Sequence, residues 1–258
     1  MILLDYPLAL FVTSFVVLLI TLEIGFRLAR RAGEHIDSER HEQIVGTRND
    51  VAVLLSLLLG FTLAMVLSRY DLRKQLVVEE ANAIETTGLR ARMLPESARD
   101  AAQELLREYT DARIEFSEAG LNTRNLEAAI KRSKRTQNDL WQQAILVARQ
   151  NPTAITALFI SSLNETIDLD TKRWAALKNR IPGAIWLMLA LLSVLTCLMV
   201  GYSHRRRFVP AMLVPPLMIA IVVTLIADLD TQGSGLIRIG HESIERLKAD
   251  QQTVSPNL

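Results

Sequence analysis

Apolar residues gather into four blocks along the chain, 7–25, 51–67, 185–202 and 208–226, and the charged residues crowd into the stretches between them. At about 1.5 Å per residue each block is long enough for a helix to cross a hydrocarbon core of about 30 Å, with some thinning or tilt. No basic residue precedes the first block, only Asp5, so the positive flank of a cleavable leader is missing. That block is expected to stay as a membrane helix. Pro210, Pro215 and Pro216 interrupt the last block, which predicts a kinked or partly unwound final span.

The polar region 69–181 carries a different rhythm. Leu76, Val77, Ala81 and Ile84 form one apolar stripe at helical spacing, and Pro95 should end that helix near 93. A second helix is expected to open with Ser97 as its N-cap and to close at Gly120, burying Ala101, Leu105, Leu106, Tyr109, Ile114 and Phe116. A third should run over 125–150. Asn151-Pro152 should then cap and restart a fourth, 152–180, holding Leu158, Ile160, Leu163, Ile167, Trp174 and Leu177. No run alternates with a period of two, so the pattern is all-α: four transmembrane helices with an extramembrane helical bundle inserted between the second and third. The expected division is 1–68, 69–181, 182–227 and a tail, 228–258, with one short amphipathic piece.

The stretch 54–95 organises the rest. Neither glycine nor proline falls between Phe61 and Thr87, so a spanning helix can run on into water without a break. On its membrane part Asn49, Val53, Ser56, Gly60, Ala64 and Leu67 share one narrow face of small or weakly polar residues. Such a face serves close helix packing, or it lines a water-filled path.

Composition changes this picture little. The 258 residues are 50% hydrophobic with a net charge of +1, and basic and acidic residues are interleaved, which argues against a nucleic-acid partner. The single cysteine, Cys197, excludes an internal disulfide and a cysteine metal cage. Phosphate-cradling glycine motifs are absent, and Ser161 and Ser162 lack a nucleophile elbow. His35, His41, His204 and His241 form no paired zinc motif. Neither catalysis nor a cofactor is expected. Glu79 on the first helix of the bundle, and Asn164, Glu165 and Asp168 on the fourth, could bring oxygen ligands together for a hard cation if those helices pack. The plainer alternative makes Asp168–Lys172 a surface ion pair and Glu79 part of a solvated face. Lys131, Arg132, Lys134 and Arg135 could meet an anionic membrane surface or a polyanion; the plainer alternative is a solvated helix face.

Charge also bears on orientation. The two short connections are basic, through Arg27, Arg30, Arg31, Arg40 and Arg48 in one and 205–207 in the other. Short basic loops stay in the cytoplasm, which would put both termini and the helical domain outside it. Arg69, Arg73, Lys74, Lys172, Arg173, Lys178 and Arg180 flank the long domain and pull the other way.

Four long motifs carry a resemblance: GFTLAMVLSRYDLRKQLVVEEANAIETTGLRARMLP, LLREYTDAR, LNETIDLDTKRWAALKNRIP and LIADLD. With them the chain resembles the bestrophin-like domain family of bacterial membrane proteins, a family of unknown function. The resemblance implies an inner-membrane homo-oligomer, a pentamer if it follows the bestrophins, that conducts ions along its second spanning helix, here 51–67. It also implies a cytosolic long domain, against the charge rule. The rival reading is a non-conducting sensor or scaffold whose helical domain binds a partner or ligand. In its favour, the spans carry no ionisable residue except Glu23 at an end.

Overall fold

The computed structural model describes residues 6–31, 38–119, 122–204, 207, 209–231, 240 and 242–253, and they form helices without a strand among them. In chain order these are α1 (Pro7–Arg31), α2 (Ser38–Ala91), α3 (Glu96–Glu118), α4 (Thr123–Gln150), α5 (Ala154–Lys178), α6 (Gly183–Ser203), α7 (Val209–Asp230) and α8 (Glu242–Thr253). Among the described residues, four stretches are long and apolar enough to cross a membrane, lying in α1, α2, α6 and α7. α2 is unbroken over 54 residues, as the absence of glycine and proline between Phe61 and Thr87 predicts. The chain divides into two compact units: Met1–Ser68 with Arg180–Ile237, and Arg69–Asn179 with Arg238–Leu258.

In the first unit, Leu18, Leu22 and Phe26 of α1 pack with Leu55 of α2, Leu189, Cys197 and Val200 of α6, and Met212 and Ile219 of α7. The contact between α1 and α6 depends on two glycines. A Cβ on Gly25 would fall on the carbonyl oxygen of Leu198, and a Cβ on Gly201 on that of Leu22. Small residues allow this backbone approach, which is how helices associate where lipid is as apolar as the side chains. Hydroxyls within the apolar helices turn back on their own backbone: Ser14 donates to the Leu10 carbonyl, Thr62 to Leu58 and Ser193 to Leu189. Asp230 accepts the backbone N–H of Ile181 just before α6, whose N-cap, Pro182, makes no side-chain cap bond. The final span corrects the expected unwinding. α7 stays helical through Pro215 and Pro216, and no unwound segment interrupts it. Both prolines sit in its N-terminal third, so they strip partners only from the carbonyls of Ala211 and Met212.

The second unit buries Ile84, Ala91, Leu106, Tyr109, Leu140, Ala144, Phe159 and Leu163 in one core. Two predicted caps are displaced. Pro95 rather than Ser97 stands at the N-cap of α3, where a residue without an N–H loses nothing. Asn151 closes α4, its N–H bonded to the Val147 carbonyl, and Thr153 opens α5 by accepting from the Thr156 N–H. α8 belongs to this unit. Its Ile244 packs with Val77 and Ala81 of α2, its Leu247 enters the main core, and Lys248 pairs with Asp111 of α3 at 2.8 Å.

Candidate functional site

Charged side chains occupy the middle of the second unit. Glu80 of α2 is fully buried, as are Arg113 and Tyr109 of α3, and Arg173 of α5 is nearly so. Helical spacing puts them there. Glu80 stands four residues after Leu76 and four before Ile84, within the buried stripe of α2, and Arg113 follows Tyr109 by one turn of α3.

The Glu80 carboxylate draws one guanidinium to each oxygen. Arg113 Nε forms an ion pair with Oε1 at 2.7 Å. Arg173 Nη1 bonds to Oε2. Arg113 Nη1 also reaches Asp170 Oδ1 at 2.5 Å. Gln137 of α4 donates to Asp170 Oδ2 at 3.0 Å and to the Tyr109 hydroxyl at 3.3 Å, and that hydroxyl in turn donates to Glu80 Oε1 at 3.4 Å. Arg173 Nη2 donates to the Ser117 hydroxyl at 3.2 Å. The Phe116 ring receives both guanidiniums, with Arg113 Cζ 4.4 Å and Arg173 Cζ 5.5 Å from its centroid. Two positive and two negative groups balance.

The electrostatics follow from that balance. Burial works against the charge on Arg113, but Glu80, with Tyr109 and Asp170, outweighs it and raises the pKa of the guanidinium. Burial also raises the pKa of the Tyr109 phenol, and the neighbouring Glu80 charge adds to the effect. The network can hold α2, α3 and α5 in one register, since a slip of any of them would leave a charge buried alone, and Gln137 ties α4 to it.

The expected cation ligands lie elsewhere. Asn164, Glu165 and Asp168 are exposed on α5, with Asn164 Nδ2 donating to Asp168 Oδ2 at 3.3 Å. Glu79 is half-buried and accepts from Gln75 at 2.7 Å. Among the described residues, no three His, Cys, Asp or Glu side chains gather in a way that could hold a metal ion. Glu80 and Asp170 stand on the same two helices, beside Glu79 and Asp168, and residue type alone does not set them apart. The signal that separates them is a charge standing inside an apolar stripe.

On α2, Asn49, Val53, Ser56, Gly60, Ala64 and Leu67 are all exposed, and a Cβ on Gly60 would meet nothing within 4 Å. The buried residues of the same span, Leu55, Thr62 and Val66, lie on the opposite side of the helix. Within one chain, no helix among the described residues packs on the small-residue face.

Solved structures share this fold. A bacterial Bestrophin homologue from Klebsiella pneumoniae, solved by Zn-SAD phasing, superposes with a TM-score of 0.66 at 15% identity, over 96% of this chain and 98% of that one. A Trp-to-Ala variant from the same organism gives 0.70 at 13% identity, over 95% and 98%. A Tyr-to-Ala variant gives 0.68 at 15%, over 94% and 98%. No curated protein matches the chain. The family model of the Bestrophin-like domain matches residues 15–244, and with four apolar spans in the same stretch the chain is a membrane protein that belongs to the Bestrophin-like family.

Proposed function

We propose that the chain assembles as a homo-oligomer, five copies if it follows the resemblance, in which the membrane parts of α2 surround an axial ion path. The observation that carries this reading is the bare small-residue face of α2, Asn49 to Leu67, with every member exposed and open space over Gly60. One chain cannot enclose a hydrated path with four spans, so the face needs copies of itself, and a closed ring supplies them. Membership of the Bestrophin-like family and the likeness to bacterial Bestrophin homologue structures support it. The path would be lined by an amide, a hydroxyl, backbone at Gly60 and aliphatic rings, and ions pass such rings when the pore is wide enough to stay wet. The helical region between the second and third spans is proposed to stand outside the membrane. The buried network is proposed to fix the α2 segment within that region.

Gly60→Leu tests the reading in vesicles reconstituted with the full chain. The wild-type oligomer is expected to pass ions, and the variant to assemble normally but pass none, since one leucine per copy narrows the ring. If the variant instead dissociates, the face is a packing surface. A stable wild-type oligomer that passes no ion under any gradient or pH would favour the non-conducting sensor.

A further inference from the structure

A second feature of the membrane unit lies on α1. Leu19, Ile20, Glu23, Ile24 and Arg27 line a groove of about 360 Å³ along one side of that helix. Its upper part is aliphatic, with Ile20 and Ile24 about half exposed. Its lower end is ionic. Arg27 Nε lies 2.8 Å from Glu23 Oε1, and Arg207, which precedes α7, places Nη2 2.6 Å from the same oxygen. Both guanidiniums stay largely exposed, at 70% and 55%. Arg207 also rests over the Phe26 ring, 5.0 Å from its centroid, which holds it at this end.

Two cations share one carboxylate, so the groove ends in one net positive charge. Each guanidinium has five N–H donors, and the bonds to Glu23 use few of them. Height matters too. About twenty residues of helix from Pro7 cross the hydrocarbon core, which puts Arg27 at the level of the lipid head groups. An aliphatic trough ending in a paired cation at that level complements an amphiphile with an anionic head. We propose that this groove is a binding site for an anionic phospholipid, its phosphate held by Arg27 and Arg207 and one acyl chain laid along Leu19, Ile20 and Ile24. Glu23 keeps the two guanidiniums converged and rejects a head group that brings no net negative charge. The site does not depend on whether the protein conducts.

The test is native mass spectrometry of the full chain in detergent, with phosphatidylglycerol and phosphatidylcholine supplied in equal amounts. Wild type is expected to retain phosphatidylglycerol about tenfold better, the scale set by one to two basic side chains at a membrane surface. Arg27→Gln with Arg207→Gln should bring the two lipids within about twofold. Arg30→Gln with Arg31→Gln removes as much charge from the same helix end and should leave the preference intact. Ile20→Trp fills the acyl seat, keeps both guanidiniums and should lower retention of the anionic lipid; it decides the matter if the double arginine variant is not recovered folded. Equal loss in the Arg30/Arg31 control, no preference in wild type, or no effect of Ile20→Trp would each overturn the proposal. So would disulfide cross-linking between copies through Ile20→Cys, which would show the groove covered by protein.

Discussion

Where α1 crosses α6, the contact is made by backbone, because Gly25 and Gly201 leave no room for a side chain between them. Where α2, α3 and α5 meet, the contact is made by four charges and the Phe116 ring. With the first unit in lipid and the second, as proposed, in water, the difference reflects the solvent each unit folds from. Helices in lipid gain nothing by hiding apolar surface from equally apolar tails, so they associate through close approach and dispersion. Helices in water gain from burying leucine against leucine, but that contact is non-directional and tolerates sliding. Buried ion pairs add direction. Replacing them by apolar side chains can even raise stability, so their service is to register, while removing one partner alone is severe.

The largest effect should therefore come from breaking the network on one side. Glu80→Ala leaves Arg113 and Arg173 buried without their shared carboxylate, at a cost of about 3–5 kcal/mol. That is a large share of the roughly 5–15 kcal/mol that holds a domain folded. Loss of the cooperative thermal transition, followed by circular dichroism, is expected. The contrast is Arg132→Ala, which removes the Arg132–Glu115 pair, 42% and 52% exposed, and should cost no more than about 1 kcal/mol. Equal effects from the two variants would break the distinction between a core network and a surface pair.

Next comes the backbone contact. Gly201→Ala adds one methyl group where the Leu22 carbonyl already sits, and separating the helices should cost about 1–3 kcal/mol. Gly60→Ala adds the same methyl group to open space and should stay within about 0.5 kcal/mol for the single chain. Unfolding in mixed micelles reads both. A neutral Gly201→Ala would show that α1 and α6 are not held at backbone distance.

Much of this was legible beforehand, for reasons that differ by residue. The continuity of α2 follows from what 61–87 lacks. Residue size at helical spacing marks its small-residue face, but leaves open whether that face packs or stays bare. Gly25 and Gly201 carry no local signal, because a glycine inside an apolar helix looks the same whether or not a carbonyl presses on it. Ser97 and Asn151 are good caps by type, yet Pro95 and Thr153 hold those positions, since capping depends on where the preceding helix ends. Glu80 and Asp170 were visible as carboxylates on two helices. Of their partners, Arg173 reads from the sequence only as a basic flank of the long domain, and Arg113 carries no signal, because arginine is by default a surface residue. Orientation rests on two opposed sets of basic residues, and Arg73 and Arg173 of the second set are buried within the helical unit.

The smallest effect sharpens the comparison by pH. Tyr109→Phe removes a hydroxyl that donates to Glu80 at 3.4 Å and accepts from Gln137 at 3.3 Å, a loss of about 0.5–1.5 kcal/mol near neutral pH. The phenol has a raised pKa in the folded protein, from burial and from the Glu80 charge, so the folded state keeps the proton that the unfolded chain releases above its ordinary value of 10.0. For a raised pKa the stabilising contribution is complete below the unfolded value and is lost as pH rises through and beyond it. Wild type therefore loses about 1.4 kcal/mol per pH unit above 10 relative to the phenylalanine variant, which has no such proton to lose. Lysines and arginines titrate in both proteins and cancel in the difference. Wild type should melt higher at pH 8, and the order should reverse by about pH 11. Parallel melting curves from pH 8 to 11 would mean that Tyr109 ionises in the folded state as it does in water, and that the network around Glu80 is open to solvent.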